Sequence, residues 1–284
     1  MADYPDDLRE AVEAYLESLR FSQDAPTAGL EDAMRYSLLA GGKRIRPVLA
    51  LATARALGRD EADVLPLAAG LELIHTYSLI HDDLPAMDDD ELRRGRPTNH
   101  VVHGEGVAIL AGDGLYAEAF RHVLDHQEGE PAAVLRAVAE LAASTGVNGM
   151  VGGQYLDVAS DDIDLRHLHS LKTGRLIAAS VVCVLLLTGR EPGSWRDFAA
   201  ELGVLFQIVD DILDVTGTDA DLGKPRGSDE RHGKRTYVSE FGLPGARTMA
   251  EASHAKAREA LSHAAGSGAP ELEQITDFIF TRTS

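Results

Sequence analysis

Six carboxylates fall within ten residues, Asp82, Asp83, Asp88, Asp89, Asp90 and Glu91, directly after an apolar stretch that ends at His81. Converging hard oxygen donors of this kind are what Mg²⁺ takes, together with phosphate oxygens from a substrate. His75, Ser78 and Asp82 recur at i, i+3 and i+7, a polar stripe on a helix otherwise apolar enough to be buried. Pro85 disfavours helical geometry at Leu84, so the helix is expected to end or bend near Asp83 and let Asp88 fold back toward Asp82. In a second group, Phe206-Gln207-Ile208-Val209-Asp210-Asp211-Ile212-Leu213-Asp214, Gln207, Asp210 or Asp211, and Asp214 recur at i, i+3/i+4 and i+7 on one helical face. Carboxylates on the stripe of a buried helix are costly without compensating cations. A bound metal resolves that cost, and a salt-bridge network with arginines is the competing explanation.

The positive charge is also placed unevenly. Of 27 basic residues five are lysine, and four of these sit in short segments rich in Gly, Arg or Thr, around Lys43, Lys172, Lys224 and Lys234. Lysine is a compact, mobile point charge suited to phosphate oxygens. Two carboxylate groups with such segments imply a polyanion clamped through divalent cations. No Gly-rich loop of the Walker or dinucleotide type is present, and Gly149-Met150-Val151-Gly152-Gly153-Gln154 fits neither pattern. A diphosphate whose organic part lies among apolar helices remains.

The elements that must position these residues are helical. Apolar residues follow the i, i+3/i+4 rhythm from Leu67 to Ile80 and from Phe198 to Leu213, and segments 8–20, 30–40, 47–57, 106–126, 131–145, 166–189 and 246–265 read as helices. Breaks are expected at Gly41-Gly42, Gly95-Arg96-Pro97, Gly129-Glu130-Pro131, Gly152-Gly153, Glu191-Pro192-Gly193 and Gly242-Leu243-Pro244. With no sustained period-2 stretch and no long linker, the reading is one all-α domain over residues 1–284. The chain is 44% hydrophobic, enough for a sizeable core, and its formal charge of −19 argues against nucleic acid and stable membrane association. The start carries no secretory signal, the longest apolar run (Leu176 to Leu187) is short for a membrane span, and Cys183 is the single cysteine. A cytoplasmic protein is expected.

Asp82-Asp83-Leu84-Pro85-Ala86-Met87-Asp88 followed by Leu92-Arg93-Arg94-Gly95, together with Asp210-Asp211-Ile212-Leu213-Asp214, resembles the two aspartate-rich motifs of trans-isoprenyl diphosphate synthases. Gly41-Gly42-Lys43-Arg44-Ile45-Arg46-Pro47, Gly152-Gly153-Gln154, Lys172-Thr173-Gly174 and Gly223-Lys224 match in the same order, and the likeness is greatest to the bacterial short-chain enzymes making farnesyl and geranylgeranyl diphosphate. The resemblance implies an all-α isoprenoid synthase-type helical bundle around a deep apolar cavity, a homodimer and three Mg²⁺ ions. It implies that Asp82 and Asp88 hold two ions, with Asp83 in the same motif, and that Asp210 holds the third, supported by Asp211 and Asp214. Arg93, Lys172, Lys224 and Lys234 would grip the allylic diphosphate, Lys43, Arg46, His75 and Arg94 would bind isopentenyl diphosphate, and Thr173 and Gln207 would face the allylic carbons. Catalysis is thus expected from Lys172, Thr173 and Gln207 without a protein nucleophile. Tyr77, five residues before Asp82, suggests a cavity closed at farnesyl length; the small Ser78 beside it keeps geranylgeranyl diphosphate as the alternative. Two departures are Val238, where relatives often have proline, and a short stretch from Ala159 to Leu165. A class I terpene cyclase would leave the Lys43, Arg44, Arg46 and His75 group unexplained, and a non-catalytic partner subunit could have lost the aspartates retained here.

Overall fold

The computed structural model describes residues 4–159, 163–218 and 233–282. Among these, helices α1 (Asp6–Ser18), α2 (Ala28–Leu38), α3 (Ile45–Ala56) and α4 (Leu65–Asp82) come first, followed by a hairpin of β1 (Leu92–Arg93) and β2 (Arg96–Pro97). Then come α5 (Asn99–His103), α6 (Glu105–His126), α7 (Pro131–Thr145), α8 (Met150–Ala159) and α9 (Leu165–His169), a π-helical turn over Ser170–Gly174, and α10 (Arg175–Leu187). Helices α11 (Trp195–Thr216), α12 (Tyr237–Ala265) and α13 (Pro270–Thr281) complete the described chain.

Local chemistry sets many of these boundaries. Pro66, Pro131 and Pro270 stand in the first turns of α4, α7 and α13, where a missing N–H costs nothing. Asp164 caps α9 by accepting from the His167 N–H at 2.8 Å, and Thr236 with Ser239 forms a reciprocal cap at the start of α12. Helix α4 packs along α6, α11 along α12, and α10 lies among α3, α7 and α11, all around one buried aliphatic cluster. The run Leu165–Leu187 is long and apolar enough to cross a membrane by length and composition, yet every residue from Val181 to Leu186 is buried within the molecule, so this is a core helix.

Three elements differ from the sequence reading. Gly152-Gly153 does not break the chain but lies inside α8. A Cβ on Gly152 would sit 1.8 Å from the Val147 carbonyl oxygen and one on Gly153 2.2 Å from the Lys172 backbone nitrogen, so both glycines serve close backbone approach. Segment 166–189 stays helical but winds through the π turn, and α13, with buried Leu272, Ile275, Phe278 and Ile279, lies beyond the helices expected from the sequence. The break expected at Gly242-Leu243-Pro244 is present as a kink in α12, where Gly242 leaves helical geometry with φ of 69° and ψ of 160°.

Candidate active site

A cavity of about 970 Å³ opens among α3, α4, α8, the π turn and α11. That volume lies near the upper end of the range for ligand sites, about 300–1,000 Å³. Its walls collect the two carboxylate groups and most of the cations singled out above: Asp82, Asp88, Asp210, Asp211, Asp214, Lys43, Arg46, His75, Arg93, Arg94, Lys172, Thr173, Gln207 and Lys234 all line it. Lys224, and part of the short stretch after Ala159, lie outside the described residues.

The first carboxylate group is shaped by the break after α4. The Asp88 backbone N–H donates to the Asp82 carbonyl at 2.8 Å, so the chain folds back on itself at Pro85. Asp88 accepts from Lys234 Nζ at 2.6 Å, and Lys172 is paired with Asp157 of α8. Burial, reinforced by Asp88, raises the Asp82 carboxyl above its ordinary range while Lys172 and Arg93 pull it down. Asp83 is not among the residues lining the cavity. It is 3% exposed and binds Arg93 bidentately, Nε at 2.8 Å and Nη2 at 2.6 Å. Burial raises it to about 6 against the opposing pull of that guanidinium, which leaves it ionised at neutral pH. Asp83 thus holds the Arg93 side chain.

On α11 the acidic stripe divides in two. Asp210 is exposed at the cavity mouth and accepts from Arg282 at 3.2 Å. Asp211, 2% exposed, accepts from Gln207 Nε2 at 2.8 Å and from the Tyr237 backbone N–H at 2.7 Å. Protein cations and N–H groups thus already compensate much of the negative charge, the network that the sequence left open, though with lysine taking part as well as arginine. Among the described residues no three His, Cys, Asp or Glu side chains converge to hold an ion unaided. The donors at the cavity are all carboxylate oxygens in two facing groups, which fits a hard cation completing its shell with phosphate and water, as Mg²⁺ does.

A separate basic cluster gathers where α3 meets α4. Lys43 Nζ lies 5.2 Å from the Phe278 ring, and Arg46 lies 5.7 Å from Phe206. Arg94, in a left-handed turn, donates to the Gly41 carbonyl and rests on Gly42, where a Cβ would meet its guanidinium carbon at 2.7 Å. Burial and Arg282 push Lys43 down to about 8, opposed by Asp210, and burial lowers Arg46 to about 10. His75 is held well below its ordinary value by burial and by Arg46, Arg94, Arg93 and Arg44, so its imidazole is neutral. Arg44 turns the other way. Its side chain, 0% exposed, bonds Glu72 at 2.6 Å, Glu13 at 2.8 Å and the Leu38 carbonyl at 2.6 Å.

Tyr77 also lines the cavity, its ring edge-on to Tyr116 at 4.9 Å, and Tyr116 in turn meets Phe120 at 5.2 Å. Sequence reasoning missed Asp157, Glu72 and Arg282. Arg282 stacks 4.3 Å over Phe206, and no local pattern reveals it because its partner Asp210 lies 72 residues away.

The family model described as Polyprenyl synthetase matches residues 27–275. The chain is 47% identical over 249 residues to a farnesyl diphosphate synthase of Geobacillus stearothermophilus, covering 84% of each protein. It is 45% identical to geranylgeranyl pyrophosphate synthase 9 of Arabidopsis thaliana, over 89% of this chain and 74% of that one. A crystal structure of a Helicobacter pylori geranyltransferase complexed with magnesium and isoprenyl diphosphate superposes with a TM-score of 0.86 at 30% identity, covering 98% of this chain and 97% of that one.

Proposed function

Because the chain belongs to the polyprenyl synthetase family, we propose that it joins isopentenyl diphosphate head-to-tail to dimethylallyl and then geranyl diphosphate, releasing farnesyl diphosphate. It is a prenyltransferase of the short-chain isoprenyl diphosphate synthase class. The observation that carries this reading is the pairing, in one cavity, of an aspartate–lysine group with a second cluster of Lys43, Arg46, His75 and Arg94. A terpene cyclase binds one diphosphate and has no use for the second cluster.

Magnesium fits the carboxylates. Asp82 and Asp88 on one side and Asp210 and Asp214 on the other would hold it, three ions in all. When bound, it draws electron density from the departing diphosphate. Lys172, Lys234 and Arg93 bind that diphosphate by charge-assisted bonds. Thr173 and Gln207 present oxygen dipoles to the allylic carbon as its C–O bond breaks. The apolar walls exclude water, which would quench the cation. The isopentenyl double bond then supplies the electron pair of the new C–C bond, and transfer of a C–H proton from the resulting cation to the released diphosphate leaves the new double bond.

Tyr77 supports a fifteen-carbon product, since its ring lines the cavity and packs against Tyr116, where it would stop the growing chain. Ser78, small and lining the same wall, favours the twenty-carbon alternative. Incubation with isopentenyl and dimethylallyl diphosphates and Mg²⁺ should yield farnesyl diphosphate, and Tyr77→Ala should lengthen products by at least one unit without loss of total turnover. Chromatography of dephosphorylated products reads both. No condensation at all would sink the enzyme reading, and an unchanged product distribution in the variant would remove Tyr77 as the floor.

Lys43→Met or Arg46→Met should raise KM for isopentenyl diphosphate about ten- to hundredfold, each removing a charge-assisted contact worth about 1.5–3 kcal/mol. KM for the allylic substrate should change less than about threefold, a difference of roughly 0.6 kcal/mol. Because the Lys43 ammonium of the free enzyme, between Arg282 and Asp210, titrates at about 8, it is charged below that pH. KM for isopentenyl diphosphate should then rise as pH passes upward through about 8, and Lys43→Arg should flatten that rise. Equal weakening toward both substrates would undo the two-site assignment.

The protein acts as one catalytic unit, soluble and cytoplasmic, and as a homodimer. The last is supported by Val101, Val102, Val107, Ile109 and Leu110, which leave an apolar face exposed on α5 and α6. Light scattering of the same preparations should give twice the chain mass.

A further inference from the structure

Three side chains on two elements form a continuous relay into the cavity. Thr173 Oγ1 donates to Gln207 Oε1 at 2.7 Å, Gln207 Nε2 donates to Asp211 Oδ1 at 2.8 Å, and Asp211 Oδ2 accepts from the Tyr237 N–H at 2.7 Å. The far end is fixed by backbone: Tyr237 is the first residue of α12, where N–H groups have no partner within the helix. A carboxylate only accepts, and a primary amide donates from nitrogen and accepts at oxygen. Asp211 therefore turns the Gln207 NH₂ toward itself and leaves Oε1 for Thr173. The single Thr173 proton is used in that bond, so the lone pairs of its oxygen are what remain for the cavity that Thr173 lines.

We propose that Asp211 is a positioning residue that sets the direction of this relay, and through it keeps the Thr173 lone pairs, not its proton, toward the carbon that becomes positive. The inference rests on the prenyltransferase reading above and deepens it. Neighbouring aspartates on α11 then divide the work. Asp210, exposed at the mouth, is available to an ion, whereas Asp211 is buried and committed to Gln207 and α12. A reversed relay would aim a hydroxyl proton at a developing cation, which costs transition-state stabilisation and leaves ground-state binding alone.

The substitution Asp211→Asn reverses it. The asparagine oxygen still accepts from the Tyr237 N–H, so α12 keeps its start, but its NH₂ now faces Gln207. Gln207 must turn its oxygen to that donor and its NH₂ to Thr173, whose proton is then left for the cavity. We expect kcat to fall about 10- to 100-fold, at or below the roughly 10²–10³ lost when a preorganised dipole aimed at developing charge is removed outright. KM for both substrates and the Mg²⁺ concentration for half-maximal rate should stay within about threefold, a change of roughly 0.6 kcal/mol. In a Thr173→Val background, with no hydroxyl to orient, Asp211→Asn should cost less than about threefold.

Wild-type turnover tests the prenyltransferase reading separately. Given an active wild type, fully additive losses in the Asp211/Thr173 cycle, an unchanged kcat in Asp211→Asn, or a shift of tenfold or more in the Mg²⁺ requirement would each overturn the relay. Should Asp211→Asn lose its helical circular dichroism, Gln207→Met carries the same test, because it severs the relay and leaves Asp211 bonded to α12. It must then match Thr173→Val in kcat and add little to it, and independent losses would overturn the proposal.

Discussion

Asp82→Ala is expected to lower kcat about a thousandfold or more at saturating Mg²⁺, while circular dichroism stays that of the folded protein. A single preorganised group that stabilises developing charge is worth about 10²–10³ in rate, and this carboxylate would also hold the ion itself. Asp82 lies where Asp88 folds back onto it, with the cations of Lys172 and Arg93 nearby and no side-chain hydrogen bond of its own among the described residues. Loss of the side chain therefore breaks no side-chain hydrogen bond among the described residues, and Lys172 and Arg93 keep Asp157 and Asp83 as partners. Calorimetry should show that the variant no longer binds inorganic pyrophosphate in a Mg²⁺-dependent manner. Near-normal kcat would mean that the ions are held elsewhere.

The largest loss of stability is expected from Arg44→Ala. The guanidinium is fully buried and joins Glu72 of α4, Glu13 of α1 and the last turn of α2 to the start of α3. Removing one partner of a buried pair leaves an uncompensated charge and costs about 3–5 kcal/mol. For a chain of this size that lowers Tm by something of the order of 10 °C. The double variant Arg44→Met, Glu72→Leu should recover much of it, since taking out both charges also removes their desolvation cost. A thermal scan in which Arg44→Ala melts within about 1 °C of wild type, well under 1 kcal/mol, would show the pair to be dispensable.

Arg44 also marks where sequence reading stops. The helical rhythm, the break that Pro85 imposes and the gathering of Gln207, Asp210, Asp211 and Asp214 along one short stretch of α11 were legible because each depends on residues within two turns of one another. Lys43, Arg44 and Arg46 share a segment, yet they divide between a binding cluster and a buried clamp. What separates them is Glu72, 28 residues away from Arg44 and on a different helix. Asp83 and Asp211 read as ion ligands from their motifs, and their commitments to Arg93 and to the start of α12 emerge only when those partners are in place. Lys234 reaches Asp88 across 146 residues and Arg282 reaches Asp210 across 72, separations at which periodicity carries no information. The glycines of α8 misled for a different reason. Glycine punctuates chains in turns and also allows two backbones to touch, and the letter alone does not say which.

That backbone contact bears on how the protein could be re-engineered. Gly153 meets the Lys172 main chain, and a Cβ on Gly203 of α11 would lie 2.8 Å from the Gly174 Cα. The π turn carrying Lys172 and Thr173 is thus clamped between two helices by main chain, with no side chain to repack when neighbours change. Tyr77, which lines the other end of the cavity, is by contrast held through ring contacts, against Tyr116 and through it Phe120. Combinatorial libraries can therefore randomise the aromatic end to select new chain lengths while the reacting end stays in register, provided that Gly153 and Gly203 are left out of the library.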